Sequence, residues 1–322
     1  MSSSSASSSA APAALTTVAA GHTVTAPTPL GGKPVLIAGS NTLLEYTSLD
    51  SVLAGTKMSS VAELEAVLAV NDKWPFPAHM DGWKQAHDAI RFEMDTLMTA
   101  IEKTRSLVEA GQGLQQWQVS ALQLVTANFY HGVHKHHDHE EEIFFPFMTS
   151  RVVVPHKMSA DHKTLMALLD KALALANALR PSHNGAIAKP VLADLQNTFA
   201  VLRLCMRQHL EEEEAVGLPL LRKHFSAKET QVPEKKILKG LKPADMAWFV
   251  RRLAMDQKVE MMKQHHIPYL VQRLVLLPAI RKDSHLYVHA YKQLVAGEAL
   301  PLDNGAAKQR KGGRVGFGCF AA

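Results

Sequence analysis

The feature that most restricts this chain is a histidine with a glutamate four residues on, written twice in matching surroundings. One copy is His209-Leu-Glu-Glu-Glu213, followed by Pro219; the other is His136-His-Asp-His-Glu140, followed by Pro146. Residues four apart lie one turn apart on the same face of an α-helix. A single pair of this kind is common on acidic helices, so the repeat carries the weight. Aligning the two prolines superposes His136 on His209 and Glu140 on Glu213. It also superposes the apolar positions Leu122, Phe129 and Val133 on Leu195, Leu202 and Met206.

A second pair of segments completes the repeat. Trp83-Lys-Gln-Ala-His87-Asp-Ala-Ile90 parallels Met158-Ser-Ala-Asp-His162-Lys-Thr-Leu165. The intervals His87 to His136 and His162 to His209 are nearly equal, and each has a turn signal at its middle, at Gly111-Gln-Gly113 and at Ser182-His-Asn-Gly185. Folding each half into a helical hairpin there puts the histidine early in its first helix beside the one late in its second. The expected fold is all-α, an up-down four-helix bundle. One end of it gathers His87, His136, Glu140, His162, His209 and Glu213, a site for two metal ions.

Helical stripes support the assignment. His87, Ile90, Met94, Leu97 and Ile101 share one face, and His162, Leu165 and Leu169 repeat it. Taken alone, His87 on such a stripe would read as an ordinary core histidine. The spacing predicts a second helix from about Gln115 to beyond Glu140, with Pro146 and Pro155 bracketing the crossing to a third, His156 to Leu179. A fourth runs from about Ile187 to Leu210 and on past Glu213. Within the crowded segment His131 to His139, the pair His137 and Glu141 has the same four-residue spacing. The register His136 with Glu140 is preferred because it continues the Leu122, Phe129, Val133 stripe. His137 then lies about 100° away round the helix, and His131 and His134 point elsewhere. Glu211 to Glu214 reads mostly as a solvated face, and Cys205 as a buried core thiol.

Outside the repeat, composition sets the organisation. Residues 1–57 open with a Ser/Ala/Thr/Pro-rich stretch that has no acidic residue before Glu45, and this region is expected to be disordered. Ser59-Ser-Val-Ala-Glu63 starts a short helix inside a domain spanning 58–228, and Trp74-Pro-Phe-Pro77 breaks the chain before the first long helix. Residues 229–300 form a helical extension, mainly from Pro243 to Val295, packed as a cap on the bundle. No carboxylate stands four from His265 or His266, which argues against a second site there. Residues 301–322 are a basic flexible tail. A net charge of +5 over 322 residues is too slight for a nucleic-acid surface, and no apolar run approaches a membrane span. Two cysteines make no disulfide framework, which points to a reducing, cytoplasmic setting. The alternative is an organelle, with the N-terminal region as a transit peptide. Cys319-Phe-Ala-Ala322 has the form of a prenylation box, so a membrane partner is expected only if Cys319 is lipidated.

Imidazole with carboxylate, and no thiolate pair, favours iron or manganese over structural zinc. The quoted residues, from His87-Asp-Ala-Ile-Arg91 through His136xxxGlu140, Asp161-His162 and His209xxxGlu213, resemble the hemerythrin-like (HHE cation-binding) family over roughly residues 74–225. The resemblance implies a four-helix bundle with two irons, oxo- and carboxylate-bridged, held by those six residues. Oxygen-carrying members have a further histidine one turn from the third-helix histidine, where this chain has Met158 and Met166, and HxxxxD in place of HxxxE. The chain is therefore nearer the wider family, which includes proteins for repair of iron centres. The expected function is a non-haem di-iron protein that binds or senses O2 or NO, or handles cellular iron. The alternatives are an enzyme acting on NO or peroxide and an iron-donating repair protein.

Overall fold

The structure, a computed structural model, describes residues 74–75, 81–264 and 267–301, and the backbone of three short strands nearer the N-terminus. Helix α1 is Gly82–Glu109. Helix α2 starts at Gln116, passes a π turn at Glu140–Phe144 and ends at Met148. Helix α3 is His156–Ala178. Helix α4 starts at Ala188, passes a π turn at Glu213–Gly217 and ends at His224. The four pack in a ring, each against the two beside it, which is the up-down bundle the repeat predicts.

Local chemistry explains the ends of these helices. The Asp81 carboxylate accepts from the Trp83 N–H at 3.0 Å and caps α1. The hairpin turns fall at Gly111 (φ 88°) and Gly185 (φ 69°), a conformation that glycine adopts without cost. The two turns then meet. Leu114 and Ser182 exchange backbone hydrogen bonds of 2.8 and 2.9 Å and tie the hairpins together at that end of the bundle.

The interior is apolar along its length. Ile90, Met94, Leu97, Ile101, Leu122, Phe129, Val133, Leu165, Leu195, Leu202 and Met206 are fully buried, and the rings of Phe129 and Phe199 meet edge to face at 5.5 Å. At the opposite end from the turns lies a second apolar cluster, which includes Trp83, Phe144, Phe145, Met158, Val216 and Leu221. The candidate metal centre sits between this cluster and the main core.

Two features of the chain follow from proline and from β-branched residues. Pro146 does not end α2, and Pro219 does not end α4. Proline lacks an N–H and its ring clashes with the carbonyl four residues back. Both helices absorb this by widening just before it, so that the Phe145 N–H reaches Glu140 O and the Leu218 N–H reaches Glu213 O. In the N-terminal region, Thr16–Val18, His22–Val24 and Ile37–Ala38 form an antiparallel three-stranded meander, with Thr16 opposite Val24 and Val24 opposite Ile37. The threonines and valines of these segments favour strand. The rest of residues 1–57, where disorder is expected, lies outside the described residues, as do the helix expected from Ser59, His265-His266 and the tail from residue 302 onward.

Beyond the bundle, the expected segment from Pro243 to Val295 resolves into three helices with another ahead of them. Helix α5, Ala227–Gly240, begins with a capping box between Ser226 and Glu229. Helix α6 is Pro243–Phe249 and α7 is Met255–Gln264. Helix α8 runs from Tyr269 to Ala296 with π turns inside it, one of them again just before a proline, Pro278. The end of α8 lies against α1 and α2. A buried ionic knot fixes this extension in place. Arg251 forks onto Asp283 at 2.7 and 2.8 Å and also donates to Glu93 of α1 at 2.5 Å and Asn128 of α2 at 2.8 Å. Tyr291 donates to Glu93 from α8 at 3.2 Å. No helix among the described residues is long and apolar enough to cross a membrane.

Candidate metal centre

Each of the four bundle helices delivers its histidine where the stripe places it. All six expected residues meet in one buried layer, in two groups whose ligand atoms lie close together. One group is His87, His136, Glu140 and Glu213; the other is His137, His162 and His209. Both glutamates are sealed from solvent.

The carboxylates are shared between the groups. Glu140 turns Oε1 toward His136 (3.1 Å) and His87 (3.7 Å), and Oε2 toward His162 (3.4 Å). Glu213 turns Oε2 toward His87 (3.3 Å) and Oε1 toward His209 (3.5 Å) and His162 (3.9 Å). Each carboxylate thus offers one oxygen to either side. The rings of His162 and His209 bring their Nε2 atoms within 3.1 Å of each other.

His137 is the residue that sequence reasoning missed. It was expected to face away from the centre, yet it is buried and stacks on His162 with ring centroids 4.1 Å apart. The reason is geometric. Helix α2 packs on both α1 and α3, so it has two inward directions about one residue apart. His136 faces His87 of α1, with ring centroids 5.2 Å apart, and His137 faces His162 of α3. His131 and His134 remain exposed, paired with Asp245 and Asp138.

An outer set of carboxylates orients the rings. His87 Nδ1 meets Glu214 Oε1 at 2.9 Å, and Arg91 holds that carboxylate in turn at 2.6 Å. His162 Nδ1 meets Glu141 Oε1 at 2.7 Å. These two glutamates follow the inner pair by one residue in each copy of the repeat, and they act crosswise, each orienting the histidine of the other hairpin. They were read as solvated or out of register. The doubled Glu-Glu in both copies was the available signal. From the cap, the Trp83 indole N–H donates to Glu140 Oε1 at 2.5 Å. The position matching Trp83 is Met158, so Glu213 has no equivalent donor.

The electrostatics are those of an arrangement built around positive charge. Burial and then the Glu140 charge push Glu213 up to about 8. Burial opposes charge on Glu140 too, but His136, His87 and His162 outweigh it and hold this carboxyl well below its ordinary range. Burial lowers His136, His137 and His209, the last to about 4, and so favours the neutral imidazole that a metal requires. His87 runs the other way: burial opposes its charge, but Glu140, Glu213 and Glu214 raise it well above the usual histidine value. Several facing atoms are buried with no hydrogen-bond partner among the described residues: Nε2 of His87 and His136, both ring nitrogens of His137, Oε2 of Glu140 and both oxygens of Glu213. Buried polar atoms are rarely left this way. Their convergence fits metal ions as the missing partners.

The hemerythrin HHE cation-binding domain model matches the chain over residues 78–221. These residues form a hemerythrin HHE cation-binding domain. The match takes in α1 to α3 and most of α4, with every residue of the buried layer, while α5 to α8 lie beyond it. No curated protein and no solved structure matches the chain.

Proposed function

We propose that this HHE domain holds two iron ions between its histidine groups and binds O2 or NO at them, for sensing or iron handling. The reading is carried by the division of each carboxylate between the two groups, since a carboxylate with one oxygen on either side is the natural bridge for a metal pair. On this assignment His87 and His136 would serve one ion and His137, His162 and His209 the other, with Glu140 and Glu213 common to both. Imidazole and carboxylate without thiolate suit iron. The ions would supply redox chemistry and an open coordination position, because the protein ligands fall short of six on each side, and by more on the His87–His136 side.

The chain's own residues set the conditions. Glu214 and Glu141 hold the rings of His87 and His162 from behind, a partnership that strengthens and fixes imidazole ligands. Trp83 holds Glu140. The apolar cap on one side and Phe129, Val133, Leu202 and Met206 on the other exclude bulk water and favour small uncharged ligands. The test is metal content of protein purified from iron-replete cells, followed by visible spectra of the reduced protein with O2 and with NO. Two irons per chain and a spectral change with either gas are expected. Two irons with spectra indifferent to both gases would overturn gas binding, and a chain that retains no iron would overturn the whole reading.

A further inference from the structure

The first part of α8 is apolar on every face. From Tyr269 to Pro278 it reads Tyr-Leu-Val-Gln-Arg-Leu-Val-Leu-Leu-Pro, with Gln272 and Arg273 its only strongly polar side chains. The inner face is covered. Leu276 and Ile280 pack with Ala247 and Val250 at α6 and Met262 of α7, and Gln272, one turn before Leu276, is buried and donates to the Ile267 carbonyl at 2.7 Å. The outer face is not covered. Tyr269, Leu270 and Leu274 are 66%, 65% and 67% exposed, and Val271 and Val275 beside them are exposed too. Leucines four apart stand one above the other on a helix, so these side chains form one patch rather than scattered exposures. A helix that is hydrophobic all round is ordinarily buried, and a contiguous exposed apolar patch marks a binding surface.

The charges of α8 indicate what that surface meets. From Tyr269 to Ala296 the one acidic residue is Asp283, which Arg251 holds inside the buried knot. The exposed charges of the helix are therefore all positive: Arg273, Arg281, Lys282 and Lys292. Arg281 and Lys282 form no ion pair among the described residues, and Arg273 donates to the Tyr269 hydroxyl at 3.1 Å. The acids that precede them in the chain, Asp256 and Glu260, belong to α7, where Glu260 is paired with Lys263 at 3.7 Å. This pattern disfavours a second copy as the occupant. A two-fold contact sets one patch against itself, and would face Arg273, Arg281 and Lys282 with their own copies. Leucines and valines with a tyrosine among them and cations further along match instead the layers of an anionic bilayer, from acyl chains to headgroup phosphates.

We propose that the exposed face at the start of α8 is a docking surface for an anionic lipid membrane. Leu270 and Leu274 enter the acyl boundary and Tyr269 lies at headgroup depth. Arg273, Arg281 and Lys282 reach the lipid phosphates, as long cationic side chains do at such a boundary. The apolar stretch is far shorter than the about 20 residues that a span needs, so α8 lies along the surface and does not cross it. Asp283 and Tyr291 tie α8 to Arg251 and to Glu93 of α1, so docking carries the HHE domain to the membrane with it. The attachment depends neither on a lipid at Cys319 nor on what the metal centre binds.

The experiment is co-sedimentation of the full chain, with Cys319 unmodified, on vesicles of phosphatidylcholine with and without about 30% phosphatidylserine, with metal content and light scattering recorded for every sample. Binding at least about tenfold stronger to the anionic vesicles is expected. Leu270→Ser with Leu274→Ser should weaken it by at least about tenfold through lost apolar burial. Arg281→Gln with Lys282→Gln should remove most of the preference for phosphatidylserine. All four positions are exposed, so neither double variant should change metal content. No binding to either vesicle would overturn the proposal, as when the patch serves an acidic protein. Binding that the leucine variant leaves unchanged would also overturn it, and would assign the effect to another surface, such as the basic tail with Lys308, Arg310 and Lys311. Self-association in solution that the leucine variant abolishes would overturn it in favour of a second copy, and equal binding to neutral vesicles would overturn the role of the cations. Any of these with two metals still bound leaves the function proposed for the centre standing.

Discussion

Replacing His137 with leucine should make the metal-free protein more stable and the metal-loaded protein less so. In the structure this imidazole is 4% exposed, and neither ring nitrogen has a hydrogen-bond partner among the described residues. An unsatisfied buried polar group costs about 1–3 kcal/mol, so two of them cost about 2–6 kcal/mol in the absence of metal. Leucine has similar bulk and removes that penalty. Against it stands the lost stacking on His162, worth about 1 kcal/mol. The metal-free variant should therefore gain about 2 kcal/mol. With metal the sign reverses. If loss of one imidazole weakens binding about 100-fold, the ligand-linked stabilisation falls by about 3 kcal/mol. Urea unfolding midpoints measured with a chelator and with saturating ferrous iron read both halves. Metal content should drop from two ions toward one, because His87, His136 and Glu140 are untouched. A metal-free variant less stable than the parent would mean that His137 is an ordinary, satisfied core histidine, and would refute the assignment.

Three further outcomes are expected. Glu141→Gln and Glu214→Gln should each weaken metal affinity by about 10- to 100-fold without abolishing it, as loss of an orienting partner does; equilibrium competition with a chelator measures this. Burial raises Glu93 from the ordinary carboxylate value of about 4.5 to about 7, so the folded protein binds the extra proton across that window. Stability is therefore full below pH 4.5 and is lost as pH rises through 7, by about 3 kcal/mol at about 1.4 kcal/mol per unit. Urea midpoints at pH 5 and pH 8 should show this fall, and Glu93→Gln should flatten it. Arg251→Met leaves Glu93 and Asp283 buried without their cation, which costs about 3–5 kcal/mol; limited proteolysis should then cut first in residues 241–301 while the bundle survives.

Much of the bundle was legible because its signals are local or repeated. The stripe from His87 to Ile101 is read within one helix, and the turns at Gly111 and Gly185 carry their own residue chemistry. The six expected site residues could be picked out only because the chain states the pattern twice. His137 was not legible, because which faces of α2 are inward depends on α3 as well as α1, and one stripe cannot report two neighbours. The continuation of α2 past Pro146 was hidden for a different reason. That proline was taken as a stop, whereas a helix held on both sides by packing keeps its course and widens instead, as α4 does at Pro219. Pro146, Pro219 and Pro278 each follow the start of a π turn by the same interval. The packing of α5 and α6 against α2 is a long-range contact that no local pattern records.

The position of the π turns links this architecture to the chemistry. Both widened turns in the bundle begin at the shared glutamates, Glu140 and Glu213, and neither falls elsewhere along α2 or α4. The prolines that anchor the repeat therefore do two things at once. They place a wide turn at each carboxylate, and they let the helix continue so that Phe144, Phe145, Val216 and Leu218 close over the layer as its cap. A helix stopped at either proline would leave the glutamates at a frayed, wet end, where a carboxylate with no partner costs little and a metal is held by little. Continuing the helix buries both carboxylates beneath apolar side chains. That burial is what drives Glu213 up to about 8 and makes the metal-free layer unfavourable. The same closure makes a cation the most effective partner for the layer. The two prolines thus belong to the metal centre as much as the histidines do, though neither touches it.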